Sequence, residues 1–365
     1  MEQTRIGITT GRWLLPLLLA LALLTGCAAG PAPDAPETTA KATPVPTAAP
    51  LPSSEPEAAT AGEKADFAEQ VFDTAQDAGR LTARYLRLLE TYGSGDSTVT
   101  TGDSVVYTSP EGLLMLVDCG NVAGGTEVAQ QLQAMGVERI DILVLSHPHA
   151  DHVGGFCTIA DLFPIGQVYM NGHEYDSETY RATVAKITEK QIPCDILKAG
   201  DSFAFGGQVQ VQVFGPEEGD ADSVAAGYQD ANDTSLALRL TYGASSFWTS
   251  GDLYITGEQR ICELYGEQVR SDVVKMNHHG KDTSNGRDFV GTLSPKIAVG
   301  LFDSVGSQTV AMRYQVAGAQ VYYNSVDGAI RISTAGDGVY DVQTQYLRDI
   351  AMLPDPDPSG HYTVE

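Results

Sequence analysis

The stretch Ser146-His147-Pro148-His149-Ala150-Asp151-His152-Val153-Gly154-Gly155 gathers three histidines and an aspartate within six residues. The whole chain has only seven histidines, so chance explains this density poorly. Neutral imidazole and carboxylate are the side chains that zinc, manganese and iron prefer as ligands. The cluster therefore points to metal chemistry. The apolar run Ile142-Leu143-Val144-Leu145 comes directly before it and reads as a buried strand. Pro148 keeps that strand from continuing, and the two closing glycines let the backbone turn sharply. The ligand types thus stand on a loop at a strand end, where a rigid sheet aims side chains at a common point.

Two more strand ends repeat this grammar. Leu236–Leu240 alternates as a strand, turns at Tyr242-Gly243, returns through Ser246-Phe247-Trp248 and ends in Ser250-Gly251-Asp252. Asp272-Val273-Val274-Lys275-Met276 then leads into Asn277-His278-His279-Gly280. Convergence of three such ends at one sheet edge is how a two-metal site is assembled. The elements between them fit an α/β chain. A helix is expected over Asp66–Ala78, stopped by Gly79, and a strand over Leu81–Leu89. Ser104–Thr108 and Leu113–Val117 read as a hairpin, and the second strand runs into Asp118. Helices are expected over Thr126–Met135, Ser177–Gln191 and Gly257–Tyr265, with strands over Gln167–Met170 and Val209–Val213.

The first residues read differently. Arg5 and Arg12 flank a short basic region, and Trp13–Leu24 is apolar but short of the roughly 20 residues a comfortable span needs. It ends in Leu24-Thr25-Gly26-Cys27, which resembles a bacterial lipobox. The resemblance implies a signal peptide over 1–26, lipid on Cys27 and a location outside the cytoplasmic membrane. Residues 27–62 are Pro, Ala, Thr, Ser and Glu with little to bury, and are expected to be a disordered tether. Residues 63–350 are long enough for one large α/β domain, and 351–365 form a tail. The net charge of −25, with 22 basic residues, weighs against a long polyanionic partner. Five cysteines without a CxxC pair disfavour a cysteine zinc knuckle. Cys119, Cys157, Cys194 and Cys262 are expected as buried free thiols.

The motifs His147-x-His149-x-Asp151-His152, Ser250-Gly251-Asp252 and His278-His279-Gly280 resemble those of the metallo-β-lactamase superfamily. Gly102-Asp103-Ser104, Leu116-Val117-Asp118-Cys119-Gly120 and Asn232-Asp233-Thr234-Ser235 resemble two of its branches in particular. These are the metallo-hydrolase domain of ComEC-type competence proteins and the catalytic domain of phosphorylcholine esterases. The resemblance implies a four-layer αββα sandwich with the site at one edge. It implies His147 and His149 on a first metal, and Asp151 and His152 on a second. Asp252 bridges them, and one of His278 or His279 completes the second site. The superfamily often has another histidine about twenty residues before the bridging aspartate; Asn232-Asp233 stands there instead. That makes Asn232 a candidate further ligand, with His173 as a less favoured substitute, expected rather on a surface loop.

Two metals bridged by a carboxylate share a hydroxide formed at neutral pH and polarise the electrophile. The expected function is a lipid-anchored hydrolase with two divalent ions, zinc first and manganese or iron as alternatives. Its substrate is a phosphodiester: DNA, or a small or cell-wall-linked ester such as phosphocholine. Asp151 would bind metal and orient the nucleophile. Whichever of His278 and His279 is not a ligand would donate to a phosphoryl oxygen or act as general acid. Lys281 and Ser284 are candidate phosphate contacts, and Asp118 is expected to support the site from behind. Two other readings are a binding or scaffold lipoprotein with a degenerate metal site, and a β-lactamase-type amide hydrolase.

Overall fold

Short apolar runs broken by Gly, Asn and Asp become strands, and two sheets gather them. The computed structural model describes residues 66–89, 102–220, 230–301 and 306–347. The signal segment, Cys27, the tether and the 351–365 tail lie outside the described residues. Strands β1 (Leu81–Tyr85), β2 (Val105–Thr108), β3 (Leu114–Val117), β4 (Ile140–Leu145), β5 (Ile165–Met170) and β6 (Cys194–Ile196) share the first sheet. Strands β7 (Ser202–Phe205), β8 (Val209–Gly215), β9 (Ala237–Tyr242), β10 (Ser245–Thr249), β11 (Val273–Lys275), β12 (Ile297–Gly300) and β13 (Gln320–Tyr323) make the second. Finally β14 (Ile330–Thr334) and β15 (Asp341–Thr344) return to the first. The orders are β15-β14-β1-β2-β3-β4-β5-β6 and β13-β12-β11-β10-β9-β8-β7.

Both sheets are mixed. Strands β3 to β6 run parallel, as do β10 to β13, and the remaining neighbours pair antiparallel. The inner faces meet in one core that includes Tyr85, Tyr107, Val144, Val211, Leu238, Phe247 and Ile332. Strand β8 shows the alternation expected of a half-covered strand, with Val209, Val211 and Val213 buried and Gln210 and Gln212 exposed. Helices cover both outer faces. Gly124–Ala134, Phe156–Leu162 and Glu178–Glu189 pack a second core on the first sheet. Ile255–Tyr265, Arg287–Leu293 and Gln308–Val316 pack a third on the second sheet. The result is the four-layer αββα sandwich.

Three expectations change. The helix expected over Asp66–Ala78 spans only Ala68–Phe72. The buried Arg84 guanidinium takes the carbonyls of Val71 and Asp73 and the Asp77 carboxylate, which folds the following residues into turns around it. The strand expected to reach Leu89 stops at Tyr85. Among the cysteines, Cys119 is buried, Cys157 and Cys262 are half-buried, and Cys194 is exposed; none of these four is in a disulfide.

Gly154 and Gly155 do not turn the chain through special dihedrals, since both have αR backbone. They are required for close approach. A Cβ on Gly155 would lie 2.1 Å from the Cys119 carbonyl oxygen, and one on Gly154 would lie 2.6 Å from the Val122 nitrogen. The metal-type loop is thereby pressed onto the loop that follows β3. Among the described residues no helix is long and apolar enough to cross a membrane.

Candidate metal centre

The site residues leave the sheets at the carboxyl ends of parallel strands, where an open α/β edge leaves room for ligands. Asp118 follows β3, His147 and His149 follow β4, Asp252 follows β10, and His278 and His279 follow β11. After Pro148 the chain coils through the short helix Ala150–Val153, which brings Asp151 and His152 to the same place. One ligand atom from each of Asp151, His152, Asp252 and His279 lies within 4.8 Å of all the others.

Asp252 joins them. One of its oxygens lies 3.2 Å from His152 Nε2 and the other 3.2 Å from His279 Nε2. His279 Nε2 is also 3.4 Å from Asp151 Oδ2. Beside this group, His147 Nε2 and His149 Nδ1 stand 3.1 Å apart, with the His147 and His152 ring centroids 4.1 Å apart. A 3.1 Å separation is one that two nitrogens sharing an ion at about 2.1 Å each can adopt.

Buried partners fix the rings. Asp118 accepts from His152 Nδ1 at 2.8 Å, from the Ser146 amide at 2.8 Å and from Ser146 Oγ at 2.7 Å. Ser146 Oγ in turn lies 3.1 Å from His147 Nδ1. Asp103 accepts from His279 Nδ1 at 2.9 Å. The Nδ1 atoms of His147, His152 and His279 are thus engaged from behind, which assigns the proton there and leaves Nε2 facing the site. Asp118 itself sits at φ 62°, a left-handed position that its own contacts hold in place.

The charge distribution asks for a cation. Burial pulls the His152 imidazole down, but Asp252, Asp118 and Asp151 outweigh it and hold the ring well above its ordinary value. Burial likewise works against His279, and Asp252 and Asp103 outweigh it. Against burial, the neighbouring His279 and His152 keep the Asp252 carboxyl well below the usual range. Burial, with His152 and His149 beside it, pushes His147 well below its ordinary value, and Asp252 and Asp151 offset this only in part. His152 Nε2 and Asp252 Oδ1 are buried and make no hydrogen bond, although they face one another. Divalent ions satisfy both the orphaned atoms and the negative surplus, so the donor set fits a metal centre.

The loop after β11 separates the two adjacent histidines. His278 and His279 both adopt left-handed backbone, φ 46° and 57°, uncommon for histidine and costly in succession. The network that supports the strain is buried. The Asn285 side chain accepts from the Asn277 amide and donates to the Asn277 carbonyl, and Glu258 accepts from Asn277 Nδ2 at 2.7 Å and from the Asn285 amide at 2.6 Å. His279 joins the four-residue cluster. His278 stands beside it, with Nε2 3.7 Å from Asp252 Oδ2 and Nδ1 2.5 Å from Thr283 Oγ1.

Other expected residues fall in different places. Lys281 stands at the rim with Nζ 3.4 Å from His278 Nε2. Ser284 is fully buried. Asn232 is buried and its Oδ1 makes no hydrogen bond, whereas Asp233 accepts from the Gly257 amide at the start of helix Ile255–Tyr265. His173, expected on the surface, is 4% exposed, with its ring 6.2 Å from that of Tyr175. Tyr175 packs edge-on against His149 at 5.2 Å, and Tyr254 lies 5.1 Å from His278, so a tyrosine stands at each side of the centre. Sequence reading missed Asp103, Ser146, Lys275 and Glu258. Lys275 left a visible signal as a lone cation inside an apolar strand, and Asp103 stood in the Gly102-Asp103-Ser104 motif without being given a role.

Comparison with known proteins agrees with this geometry. Residues 97–295 match the family described as the metallo-beta-lactamase superfamily. Competence protein ComA of Neisseria gonorrhoeae is 26% identical over 231 residues, 62% of this chain and 30% of that protein. ComE operon protein 3 of Bacillus subtilis is 27% identical over 168 residues, 46% of this chain and 20% of that protein. The chain therefore spans less than a third of the length of these curated relatives. Among solved structures, CmlA, a diiron beta-hydroxylase from Streptomyces venezuelae, aligns with a TM-score of 0.40 at 13% identity, covering 72% of this chain and 54% of that one. With more than half its length matched by the family and the ligand residues gathered as described, the chain belongs to the metallo-beta-lactamase superfamily.

Proposed function

We propose that this chain hydrolyses phosphodiesters with two divalent cations, zinc in the first place, and that lipid on Cys27 anchors it outside the cytoplasmic membrane. The observation that carries the reading is the group Asp151, His152, Asp252 and His279, whose ligand atoms, one from each, lie within 4.8 Å of one another beside the His147-His149 pair. His147 and His149, with Asn232 nearby in the family pattern, would hold the first cation; Asp151, His152 and His279 would hold the second, and Asp252 both. Bound there, the cations supply Lewis acidity and a water made nucleophilic at neutral pH.

The remaining work falls to the chain's own groups. Asp151 has its carboxyl held well below the usual range, chiefly by His152 and His279 against burial, so it stays an acceptor that orients the attacking water. Burial pushes His278 down to about 4, which leaves a neutral ring at pH 7. A neutral His278 orients Lys281 by accepting from its ammonium at Nε2, with Nδ1 turned to Thr283; it is not a proton-loaded general acid. Lys281 brings the positive charge that a phosphoryl group seeks. Tyr175 and Tyr254 would flank the ester's substituents.

Relatives named for competence make DNA one test substrate, while the charge of −25 favours a small or cell-wall-linked ester. Metal analysis of the purified chain, followed by parallel assays on a chromogenic phosphodiester, single-stranded DNA, choline phosphate esters and a lactam reporter, tests the reading. Metal-dependent cleavage of a phosphodiester that disappears in Asp252→Ala is the expected result. A metal-free protein, or unchanged cleavage in that variant, would sink it.

A further inference from the structure

Behind His279 lies a buried cation that the metal reading leaves without a task. Lys275 closes β11 among the buried neighbours Val273, Val274 and Met276 and is itself 1% exposed. Its ammonium pairs with Asp103 Oδ2 and donates to the Gly251 carbonyl at 2.7 Å. Asp103 is equally buried and receives His279 Nδ1–H on its other oxygen at 2.9 Å. The Asp103 backbone is tied as well: its amide donates to the Asp151 carbonyl at 3.2 Å, and its carbonyl accepts from Gly120 at 2.9 Å. One ammonium therefore touches the residue before Asp252 directly and reaches His279 through a single carboxylate.

An ammonium at this depth is expensive unless paired, and an apolar side chain would fill the strand end as well. The fold places a second buried ion network in the first sheet, where Asp77 binds Arg84 and Arg331. That network contacts the carbonyls of Val71 and Asp73 and none of the metal-type residues. It supplies an internal contrast: similar burial and charge, different neighbours.

We propose that Asp103 and Lys275 are a positioning pair for the second half of the metal centre. Asp103 holds His279 in the tautomer that presents Nε2, and Lys275 fixes both Asp103 and the Gly251 carbonyl. His279 and Asp252, which come from different strand ends, are thereby set in one geometry. The pair rests on the metal-hydrolase reading, and the experiment separates the two.

The full chain is loaded with cobalt(II), and its visible absorption and its affinity in chelator competition are measured. Asp103→Asn and Lys275→Met are expected to weaken the tighter cobalt about 10- to 100-fold and to shift its absorption bands. Asp77→Asn is expected to lower the unfolding midpoint while leaving both cobalt readouts at wild-type values. Because either single variant leaves a buried charge alone, the double variant Asp103→Asn with Lys275→Met is measured too. It is expected to recover much of the lost stability and none of the lost affinity. Wild-type affinity and spectrum in Asp103→Asn, an equal loss in Asp77→Asn, or restored affinity in the double variant would each overturn the pair. A wild-type chain that takes up no cobalt defeats the metal reading itself.

Discussion

The two halves of the centre are fed by one loop yet built differently. His152 and His279, in the second half, each rest on a buried carboxylate, Asp118 and Asp103, and face two more in Asp151 and Asp252. His147, in the first half, is backed by the hydroxyl of Ser146, and His149 is only half-buried against Tyr175. Where the superfamily often supplies another histidine, this chain has Asn232-Asp233. Carboxylates raise ligand basicity and lock ring orientation; hydroxyls and amides do less of either. The difference teaches that a shared bridging residue does not make the halves equal. With two cations bound as proposed, the second half would retain its ion tightly and the first would exchange its own more readily.

The largest expected effect comes from removing what the halves share. Asp252→Ala should lower hydrolysis by about a thousandfold or more, the scale of losing a group aligned with the transition state. It should weaken cation binding at both halves, as read by metal analysis after dialysis. Retention of one tight cation would show that the bridge serves only one side. His149→Ala should break the halves apart: metal per chain falls, the tighter cation stays, and the fold stays intact by circular dichroism. Loss of both cations together would erase the comparison. Asp118→Asn should act in the opposite sense, weakening the tighter cation by about 10- to 100-fold in chelator competition while disturbing the first half less.

How much of this was legible in sequence follows the same divide. The ligands stood out because His and Asp in close spacing are rare, and because three strand ends repeated the pattern. Of the supports only Asp118 was expected, because residues such as Ser146 or Glu258 look ordinary until folding brings them to the site. His278 and His279 were indistinguishable by spacing; only the left-handed backbone at both, set by Asn277, Asn285 and Glu258, sends one in and leaves the other at the rim. Ser284 and His173 were misplaced because loop residues near a motif look exposed, whereas these loops are buried. The C-terminal part, from Arg287–Leu293 to β15, gave no clear period because its strands are short and wholly buried or lie at an edge.

One helix underlies both halves and gives the smallest effect that still discriminates between them. Ile255–Tyr265 takes Asp233, from the Asn232 segment, at its Gly257 amide. From its own Glu258 it holds the loop that carries His279, through Asn277, Asn285 and Gly286. Burial pushes the Glu258 carboxyl up from its ordinary 4.5 to about 7, against the N–H donors that pull it down. A carboxyl raised on folding keeps its proton in the native state across that interval. The native state then binds more protons than the unfolded one, and stability falls as pH rises from 4.5 through about 7. The shift corresponds to at most about 3 kcal/mol. In metal-free protein, Glu258→Gln should remove that part of the slope between about pH 5 and 8, measured as denaturant midpoints against wild type. It should also loosen the tighter cation more than the weaker one, since Glu258 supports only the His279 loop. An unchanged slope would mean that the three N–H donors keep Glu258 ionised despite its burial, and an equal effect on both cations would make the helix a common floor with no preference between the halves.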